Sequence, residues 1–324
     1  MGEVYAIAVD MEDPYHIYAG LQDHDSWRGP SNGWSGSVGL EDWVTVGSGD
    51  GMYNQVDPTD SRWVYNTQQF GGHHRADLKL RVRKRIEPVR PAGQPPLRFN
   101  WTPPLVLSPH DPRVLYTGAQ VVLRSRDRGE TWEEISPDLT TNDPEKISEP
   151  GAGVQFCTIT TISESPRQPG LLWVGTDDGK VWVTRDGGAT WTEVTKALVR
   201  AGAPEDAWVT RVFASRFEVG TAYIAKSRHR QDDFRPFLYK TTDFGATWTP
   251  IVNGLPERPV NVIVEDFHNP HLLFAGTDAG VFVSLDGGRR WRKFGGNMPT
   301  VPVTDLLVHP REGDLVVGTY GRGI

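Results

Sequence analysis

The stretch Ser125-Arg126-Asp127-Arg128-Gly129-Glu130-Thr131-Trp132 recurs three more times in the chain with small changes. The later copies read Thr184-Arg185-Asp186-Gly187-Gly188-Ala189-Thr190-Trp191, Thr242-Asp243-Phe244-Gly245-Ala246-Thr247-Trp248 and Ser284-Leu285-Asp286-Gly287-Gly288-Arg289-Arg290-Trp291. Their tryptophans are 59, 57 and 43 residues apart, in or just beyond the spacing of propeller blades, solenoid turns and arrays. This stretch, the Asp motif, therefore predicts a repeat architecture.

A second repeating unit sets the period more closely. It consists of an alternating strand, a turn rich in Asp, Pro and His, and a second strand that carries an aromatic residue. Seven such units have their aromatic or equivalent residue at Tyr18, Tyr65, Tyr116, Trp173, Tyr223, Phe274 and Val316. In the third to sixth units, a third strand leads into the Asp motif and a fourth strand is predicted to begin at its tryptophan.

Four antiparallel strands in about 40 to 50 residues make one propeller blade. We therefore predict an all-β fold, a single β-propeller domain over 1–324 with about seven four-stranded blades. Their approximate limits are 1–42, 43–90, 91–145, 146–203, 204–256, 257–299 and a partial blade at 300–324. The first two blades are irregular, because 21–40 is a long insertion and Asp77-Leu78-Lys79 replaces the Asp motif.

The last blade is predicted to be incomplete. An unclosed sheet leaves an exposed edge, and 1–3 offer no spare strand. We expect either a fragment of a longer protein or a last blade that another propeller half or a partner strand completes.

Composition excludes several functional classes. The net charge of −7 and pI of about 5.7 give no general attraction to nucleic acid or anionic membranes. The single cysteine, Cys157, excludes an intramolecular disulfide and a cysteine-built metal site, and we interpret it as a core residue in a strand. No apolar run is long enough to span a membrane, and no cofactor or metal is indicated. The basic run 79–85 alternates like a strand, with either a solvated face or an anion-binding patch.

The Asp motif itself is predicted to be structural. Its glycines can adopt the positive φ of a tight turn, its Asp can accept bonds from backbone N–H groups, and its Trp can pack between sheets. These residues are Asp127, Gly129, Trp132, Asp186, Gly188, Trp191, Asp243, Gly245, Trp248, Asp286, Gly288 and Trp291.

The motif resembles the Asp box, or bacterial neuraminidase repeat, of propellers such as sialidases, xyloglucanases, sortilin-type receptor domains and photosystem assembly factors. Longer strings at 20–31, 98–104, 135–140 and 318–324 resemble large bacterial secreted proteins described as sortilin-like or glycosyl hydrolase propellers. The chain departs from them at 23–25 and at Tyr320. The resemblance implies an extracellular or periplasmic protein, although the N-terminus lacks a signal-peptide pattern, so the chain is either cytosolic or without its export signal.

Function is expected on the propeller face opposite the Asp motifs, where loops 22–28, 47–51, 69–75 and 227–233 converge. A sugar or another polar ligand would suit this mouth, with Trp27 or Trp34 as a stacking platform. The candidate binding residues are Trp27, Arg28, His73, His74, Arg75, Arg211 and His229. A metal on His73 and His74 with Asp50 or Asp232 is disfavoured, because adjacent strand residues point to opposite faces. Glu164 and Arg211 could point into the channel or pair with each other.

Two classes of function remain open. One is a binding or scaffold domain for a glycan or protein ligand. The alternative is a sialidase- or xyloglucanase-like glycoside hydrolase, which needs two carboxyl groups about 5 to 10 Å apart. Its candidate catalytic residues are Asp23, Asp25, Asp50, Asp232 and Asp233, for example Asp23 or Asp50 against Asp232, although Asp23 and Asp25 could equally be turn-capping residues.

Overall fold

The computed structural model describes residues 2–148 and 154–324. Within these ranges, seven antiparallel sheets follow one another along the chain, six with four strands and the last with two. In each sheet, strands adjacent in the chain are adjacent in space. The predicted all-β propeller with an incomplete last blade is confirmed.

The blades have the following strands. Blade one contains β1 (Val4–Val9), β2 (His16–Leu21), β3 (Ser26–Pro30) and β4 (Val44–Thr45), and blade two contains β5 (Gly51–Val56), β6 (Trp63–Gln68), β7 (Gly72–Asp77) and β8 (Val82–Arg85). Blade three contains β9 (Leu105–Leu107), β10 (Leu115–Gly118), β11 (Val122–Ser125) and β12 (Glu133–Glu134), and blade four contains β13 (Ile159–Glu164), β14 (Leu172–Thr176), β15 (Val181–Thr184) and β16 (Thr192–Glu193). Blade five contains β17 (Trp208–Ala214), β18 (Ala222–Arg228), β19 (Asp233–Thr241) and β20 (Thr249–Pro250). Blade six contains β21 (Val260–Glu265), β22 (Leu273–Thr277), β23 (Gly280–Ser284) and β24 (Arg292–Lys293), and blade seven contains β25 (Val303–Val308) and β26 (Leu315–Thr319).

Helices are few and short. One α-helix, α1 (Thr195–Arg200), follows blade four, and 3₁₀ turns occupy Leu40–Asp42, Gln69–Gly71 and His229–Gln231. In the part of the chain that the structure describes, no helix has the length and apolar character needed to cross a membrane.

The aromatic residue of each second strand lies in the core between two blades. Trp173 of β14 packs with Val209 and Ile224 of blade five, and Tyr223 of β18 packs with Ile263 of blade six. The equivalent residues are at most 7% exposed, namely Tyr18, Tyr65, Tyr116, Trp173, Tyr223 and Phe274. Since each aromatic side chain buries about 150–250 Å², this one repeated position supplies much of the contact between blades.

The ring closes between blades seven and one through side chains. Val4 and Ile7 of β1 form one apolar cluster with Val316 of β26. The backbone N–H of Ile7 donates to Asp305 Oδ2 at 2.9 Å, and His309 Nε2 donates to the carbonyl of Asp10 at 3.0 Å. The inner circle of strands is therefore continuous although blade seven has only two of them.

The outer edge of β26 has little backbone pairing. Glu3 forms an isolated bridge with Tyr320, and the N–H of Gly321 donates to the carbonyl of Gly2 at 3.0 Å, while Met1 lies outside the described residues. Within 2–148 and 154–324, β25 is the only strand that pairs with β26.

The Asp motif is a side-chain-bonded turn. In blade four, Asp186 Oδ1 accepts bonds from the Thr190 N–H at 2.9 Å and from Thr184 Oγ1 at 2.8 Å, and Asp186 Oδ2 accepts from Thr190 Oγ1 at 2.6 Å. Asp127 and Asp243 repeat all three bonds. The bonds from Thr190 and Thr184 lower the pKa of Asp186 to about 2. The Asp186 carboxylate therefore makes its hydrogen bonds within its own turn.

The motif also reaches the preceding blade. Trp191 Nε1 donates to the carbonyl of Ile135 at 2.8 Å, and Trp291 Nε1 donates to that of Ile251 at 2.6 Å. Gly188 has φ +98°, and a Cβ there would overlap the carbonyl oxygen of Ile135. Glycine is required both by the turn and by the neighbouring blade.

Three local predictions need correction. The fourth strands begin one residue after the motif tryptophan, as β16 does at Thr192. The basic strand spans only Val82–Arg85, because 79–81 form a turn with Arg81 at φ +56°. Cys157 is buried, as expected, but it precedes β13 and has φ +58°, so it is not a strand residue.

Replacing Trp291 by Phe should destabilise the propeller. The Trp291 side chain is 2% exposed, and its loss removes a buried donor from the carbonyl of Ile251, at a cost of about 1–3 kcal/mol. The midpoint of urea denaturation measures the effect. Trp34→Phe is the matched control because Trp34 is fully exposed, and equal midpoints for both variants would contradict the role of this bond.

Hydrogen exchange should detect the free edge of β26. The N–H of Thr319 donates to Gly323 and so points away from β25, and strand alternation directs the N–H of Val317 the same way. We expect the Val317 amide to exchange faster than those of Val316 and Gly318, which face β25, when measured by NMR. Equal protection of all three amides would show that another segment covers this edge.

Candidate functional site

The centre of the ring opens into a cavity of about 550 Å³. Its wall includes residues at or near the starts of the inner strands, whereas the Asp motifs follow the ends of the third strands, so the two lie at opposite ends of the blades. The lining side chains come from all seven blades: Tyr5, Tyr53, Asn100, Thr102, Thr160, Trp208, Thr210, Arg211, His229, Asn261, Asp278, Pro302, Thr304 and Tyr320.

A repeated irregularity of the inner strands produces this lining. The register of β13 against β14 skips Thr160, and that of β17 against β18 skips Thr210. The same shift occurs in β1, β5, β21 and β25. A bulge redirects the extra residue of a strand, and here the skipped residues include Tyr5, Asn261 and Thr304, which all line the cavity.

Side chains at the bulges connect successive blades around the channel. Thr160 Oγ1 donates to the carbonyl of Val209 at 2.7 Å, and Thr210 Oγ1 donates to that of Val260 at 2.8 Å. Asn261 Nδ2 continues the series by donating to Val303 at 3.0 Å. The cavity wall is therefore held by hydrogen bonds that run around the ring from blade four to blade seven.

An ion pair lies at the base of the cavity. Arg211 donates to Asp305 Oδ1 at 2.7 Å, which joins blade five to blade seven. Burial raises the pKa of Asp305, while the Arg211 guanidinium and the N–H groups of Ile7 and Leu306 oppose that shift. The charges of the pair compensate each other, so the predicted binding residue Arg211 presents no isolated positive charge to a ligand.

One side of the rim is aromatic and basic. The guanidinium of Arg230 lies 4.1 Å from the ring centroid of Trp208, a cation–π contact. His229 Nδ1 lies 3.0 Å from Ser227 Oγ, and burial together with Arg230 lowers the pKa of His229. The predicted residue His229 thus lies on the wall beside an aromatic surface formed by Trp208.

A second side of the rim is made of amides and carboxyl groups. Asn261 Nδ2 donates to Asp278 Oδ1 at 2.9 Å. Asn100 donates to Asp177 Oδ2 at 3.3 Å, and the N–H of Thr158 donates to Asp177 Oδ1 at 2.9 Å. Burial raises the pKa of Asp177 to about 7 against these bonds. Asp177 lies behind Asn100 and is only 1% exposed.

Asp23 and Asp50 lie near Tyr5 of the cavity wall but are not lining residues themselves. Tyr5 donates its hydroxyl to Gln22 at 3.0 Å. Burial raises the pKa of Tyr5, a bond from Trp101 opposes this, and the carboxylates of Asp50 and Asp23 add to it. Asp50 accepts the N–H of Asp23 at 2.6 Å. Asp50 therefore fixes the loop, whereas the exposed Asp23 lies close enough to the wall to influence Tyr5.

The other predicted carboxylates are turn residues or ion-pair partners. Asp25 has φ +64° and Asp232 has φ +55°, as Asp23 has φ +59°, so all three occupy left-handed turn positions, and none of them lines the cavity. Asp233 binds Arg235 at 2.7 Å, which lowers the pKa of Asp233 to about 2. The structure does not bring Asp232 or Asp233 to the cavity wall.

Several predicted binding residues lie away from the cavity. Trp27 donates its indole N–H to the carbonyl of His24, and Arg28 contacts His16 and lies 4.0 Å from Asp10. Both instead line a groove between blades one and two. Trp34, the other suggested platform, is fully exposed and is not part of the cavity wall.

Three predicted binding residues of β7 make contacts within blade two or with blade three. His73 is buried, with Nδ1 2.7 Å from the carbonyl of Gly71 and Nε2 2.8 Å from Thr117 Oγ1, and burial lowers its pKa to about 4. Arg75 donates to Glu130 at 2.8 Å. Burial and nearby arginines lower the pKa of His74, which lies on the other side of the strand. Both ring nitrogens of His73 are occupied, so it has no free position for a metal.

Glu164 does not pair with Arg211. It accepts the Tyr116 hydroxyl at 3.2 Å and the N–H of Gly170 at 2.9 Å, which places it at the opposite end of its strand from the cavity.

The structure adds cavity residues that sequence reasoning missed. The string Gly-Thr-Asp ends the second strand and begins the next turn in blades four and six, at 175–177 and 276–278, and it supplies Asp278 to the cavity wall and Asp177 behind Asn100. A β-branched residue followed by Thr or Asn opens four inner strands, at 159–160, 209–210, 260–261 and 303–304. These recurrences were visible signals for the cavity wall.

Taken together, the cavity offers aromatic rings, amides, hydroxyl groups and one half-buried carboxylate, Asp278. Its strongest charges are paired, as in Arg211 with Asp305. Such a lining can stack against a ring and bond to hydroxyl groups, whereas it offers little to a highly charged ligand.

Comparisons with known proteins agree with the fold. No protein-family model matches the chain, and no curated protein sequence matches it. Among solved structures, it resembles the GH74 xyloglucanase from Xanthomonas campestris, with 18% identity and a TM-score of 0.69 over 99% of this chain and 51% of that chain. The GH74 enzyme from Niastella koreensis gives 16% identity and a TM-score of 0.63 over 99% and 51%.

YCF48 bound to D1 peptide is also similar, with 12% identity and a TM-score of 0.59 over 98% of this chain and 91% of that chain. This chain spans about half the length of the two GH74 enzymes. At these identities, the likeness establishes the β-propeller fold that the chain shares with them.

Proposed function

We propose that this propeller is a ligand-binding domain that takes a neutral oligosaccharide in the cavity at its mouth. The observation that carries the proposal is the lining itself, where Trp208 and Tyr320 lie with Asn100, Asn261 and Asp278 around about 550 Å³. Sugar rings present apolar faces for stacking and hydroxyl groups for amides and carboxylates. As part of this proposal, the protein acts outside the cytoplasm, where polysaccharides are exposed.

The distribution of charge favours an uncharged ligand. The guanidinium of Arg211 is compensated by Asp305, and Arg230 lies over the Trp208 ring. An anionic ligand would have to compete with Asp305 for Arg211. A neutral ligand can donate hydroxyl groups to Asp278 and to the side-chain oxygen of Asn261 without separating an ion pair.

A glycan panel tests the binding proposal. We expect at least one neutral oligosaccharide to bind by isothermal titration calorimetry, and Trp208→Ala to weaken binding by about tenfold or more through the loss of roughly 1.4 kcal/mol of stacking. Trp34→Ala is the matched control because Trp34 is exposed outside the cavity.

Thermal unfolding of both variants verifies that the propeller remains intact. If Trp208→Ala leaves glycan affinity unchanged, the binding site lies outside this cavity. If the protein binds peptides and no glycan, its ligand is a protein rather than an oligosaccharide.

A glycoside hydrolase is the second candidate function. It is favoured by the positions of two carboxylates: the exposed Asp23 adds to the burial that raises the pKa of Tyr5 on the cavity wall, and Asp278 lines the same cavity. Asp278 and Asp23 would then form the carboxyl pair that hydrolysis requires. Asp232, the partner that the sequence suggested for Asp23, does not line the cavity.

Release of reducing sugar separates the two functions. If the protein is a hydrolase, Asp23→Asn and Asp278→Asn should each remove turnover and keep binding, while Asp232→Asn should leave turnover unchanged. Binding without release of sugar by the unmodified protein, with every glycan that binds, would eliminate the hydrolase and leave the binding domain.

We further propose that β26 pairs with a strand from another propeller half or a partner protein. Support comes from its free edge, since β25 is the only described strand that pairs with it. Such pairing would give blade seven the outer strands that the other six blades have.

A further inference from the structure

A second concave surface lies on the outer rim between blades one and two. It has a volume of about 700 Å³, and Trp27 and Trp43 contribute aromatic rings to its wall. Its two sides are the outer strands of the two blades, represented by Val44 of β4 and by Val82 and Arg83 of β8. This surface, the outer groove, shares no residue with the mouth cavity.

The strand on one side of the groove has a free edge. Among the residues that the structure describes, β8 pairs only with β7, and the N–H of Ile86, directly after β8, donates to the carbonyl of His73 in β7 at 2.9 Å. Strand alternation then directs the N–H of Lys84 towards β7 and those of Arg83 and Arg85 away from it. The outward groups can bond an added strand.

β8 differs from the outer strands of the other blades. It has four residues, whereas the outermost strands of the other five complete blades have two each. Cations on an edge strand can simply prevent pairing, but Val82 is 56% and Leu80 is 62% exposed. Val44 across the groove is 51% exposed. A purely repulsive edge would not need exposed apolar residues beside its cations.

The charge of the groove is positive and partly unpaired. Lys84 pairs with Glu130 and Arg85 pairs with Glu87. By contrast, Lys79, Arg81 and Arg83 have no carboxylate partner within residues 2–148 and 154–324.

The carboxylate of the groove does not neutralise these cations. Asp77 lines the groove, but it is bonded to Arg62, which lowers the pKa of Asp77 to about 2. The groove wall therefore offers an occupant two available cations, Arg81 and Arg83, and Lys79 lies in the turn before β8.

We propose that the outer groove binds an extended segment of a partner protein that carries alternating acidic and β-branched residues. The segment adds a fifth strand to blade two by pairing with β8. Because adjacent strand residues point to opposite faces, its carboxylates face Arg83 on the groove side, where Arg81 also lines the wall, and its apolar side chains lie beside Val82 on the other face of the sheet. The free backbone edge distinguishes this occupant from an anionic polysaccharide, which lacks the repeating N–H and C=O groups of a strand.

Fluorescence polarisation with a labelled (Glu-Val)₅ peptide tests the proposal. The peptide should bind the unmodified protein, and the (Lys-Val)₅ peptide should not. Arg83→Ala should weaken binding about twofold to fivefold, the range of one exposed ion pair. Arg83→Pro should weaken it by about tenfold or more, because it also removes an outward N–H from the added strand.

Controls separate the added strand from general charge attraction. Arg292→Ala on β24 removes an exposed cation from another outer strand, Arg292–Lys293, and should have no effect. Arg83→Glu, which keeps the backbone donor, should weaken binding more than Arg83→Ala and serves as the second variant if Arg83→Pro alters the fold by circular dichroism.

Three results would overturn the proposal. Equal affinity of Arg83→Pro and Arg83→Ala would exclude strand addition. Equal binding of polyglutamate and (Glu-Val)₅ would reduce the groove to a general anion patch. Binding of an anionic polysaccharide in competition with the peptide would replace the protein partner with a glycan.

Discussion

The hydrogen bond from a motif tryptophan to the preceding blade is the interaction on which the ring depends. Trp132, Trp191 and Trp291 each donate to the carbonyl of a residue at the end of the previous blade. The motif glycine lies against that same residue, as Gly129 does against Ile86. Each Asp motif therefore closes its own turn and positions the turn against its neighbour, and this explains why the whole string recurs rather than its aspartate alone.

The exception in blade five supports this explanation. Trp248 donates to the carbonyl of Gly245 within its own motif at 3.1 Å. The equivalent residue of blade four, Val194, already accepts bonds from Ala197 and Leu198 at the start of α1. Since that carbonyl is occupied, the indole turns inward and packs edge-on against Trp173 at 6.0 Å. Helix α1 has thus replaced a hydrogen bond between blades four and five with an aromatic contact between the same blades.

The sequence predicted the features that repeat and missed those that depend on the ring. Buried aromatics such as Tyr65 and the turn around Asp186 recur at readable intervals. Arg211 was recognised as a channel residue, but its partner Asp305 lies 94 residues away, and strand periodicity does not pair them. The bulges also defeat a simple alternating pattern, because the skipped residue, Thr160 for example, changes which side chain faces the channel.

Polar residues were the hardest to place. His73 and Arg75 look like ligands in a loop-flanking string, yet they bond Thr117 and Glu130 of blade three. In a propeller, each blade needs polar contacts with its neighbours as well as an apolar core, and a single sequence does not distinguish these contacts from a binding site.

The two candidate surfaces differ in how their charges are compensated. At the mouth, Arg211 is neutralised by Asp305 within hydrogen-bonding distance, so the ligand that we propose would be recognised by shape, stacking and hydroxyl bonding. In the outer groove, Arg81 and Arg83 remain uncompensated on a protein whose net charge is −7. Because charges in water are screened over about 8–10 Å, that positive field is local and attracts only a ligand already near the groove. The ring of blades thus has a surface with compensated charges at its centre and a surface with uncompensated cations at its rim.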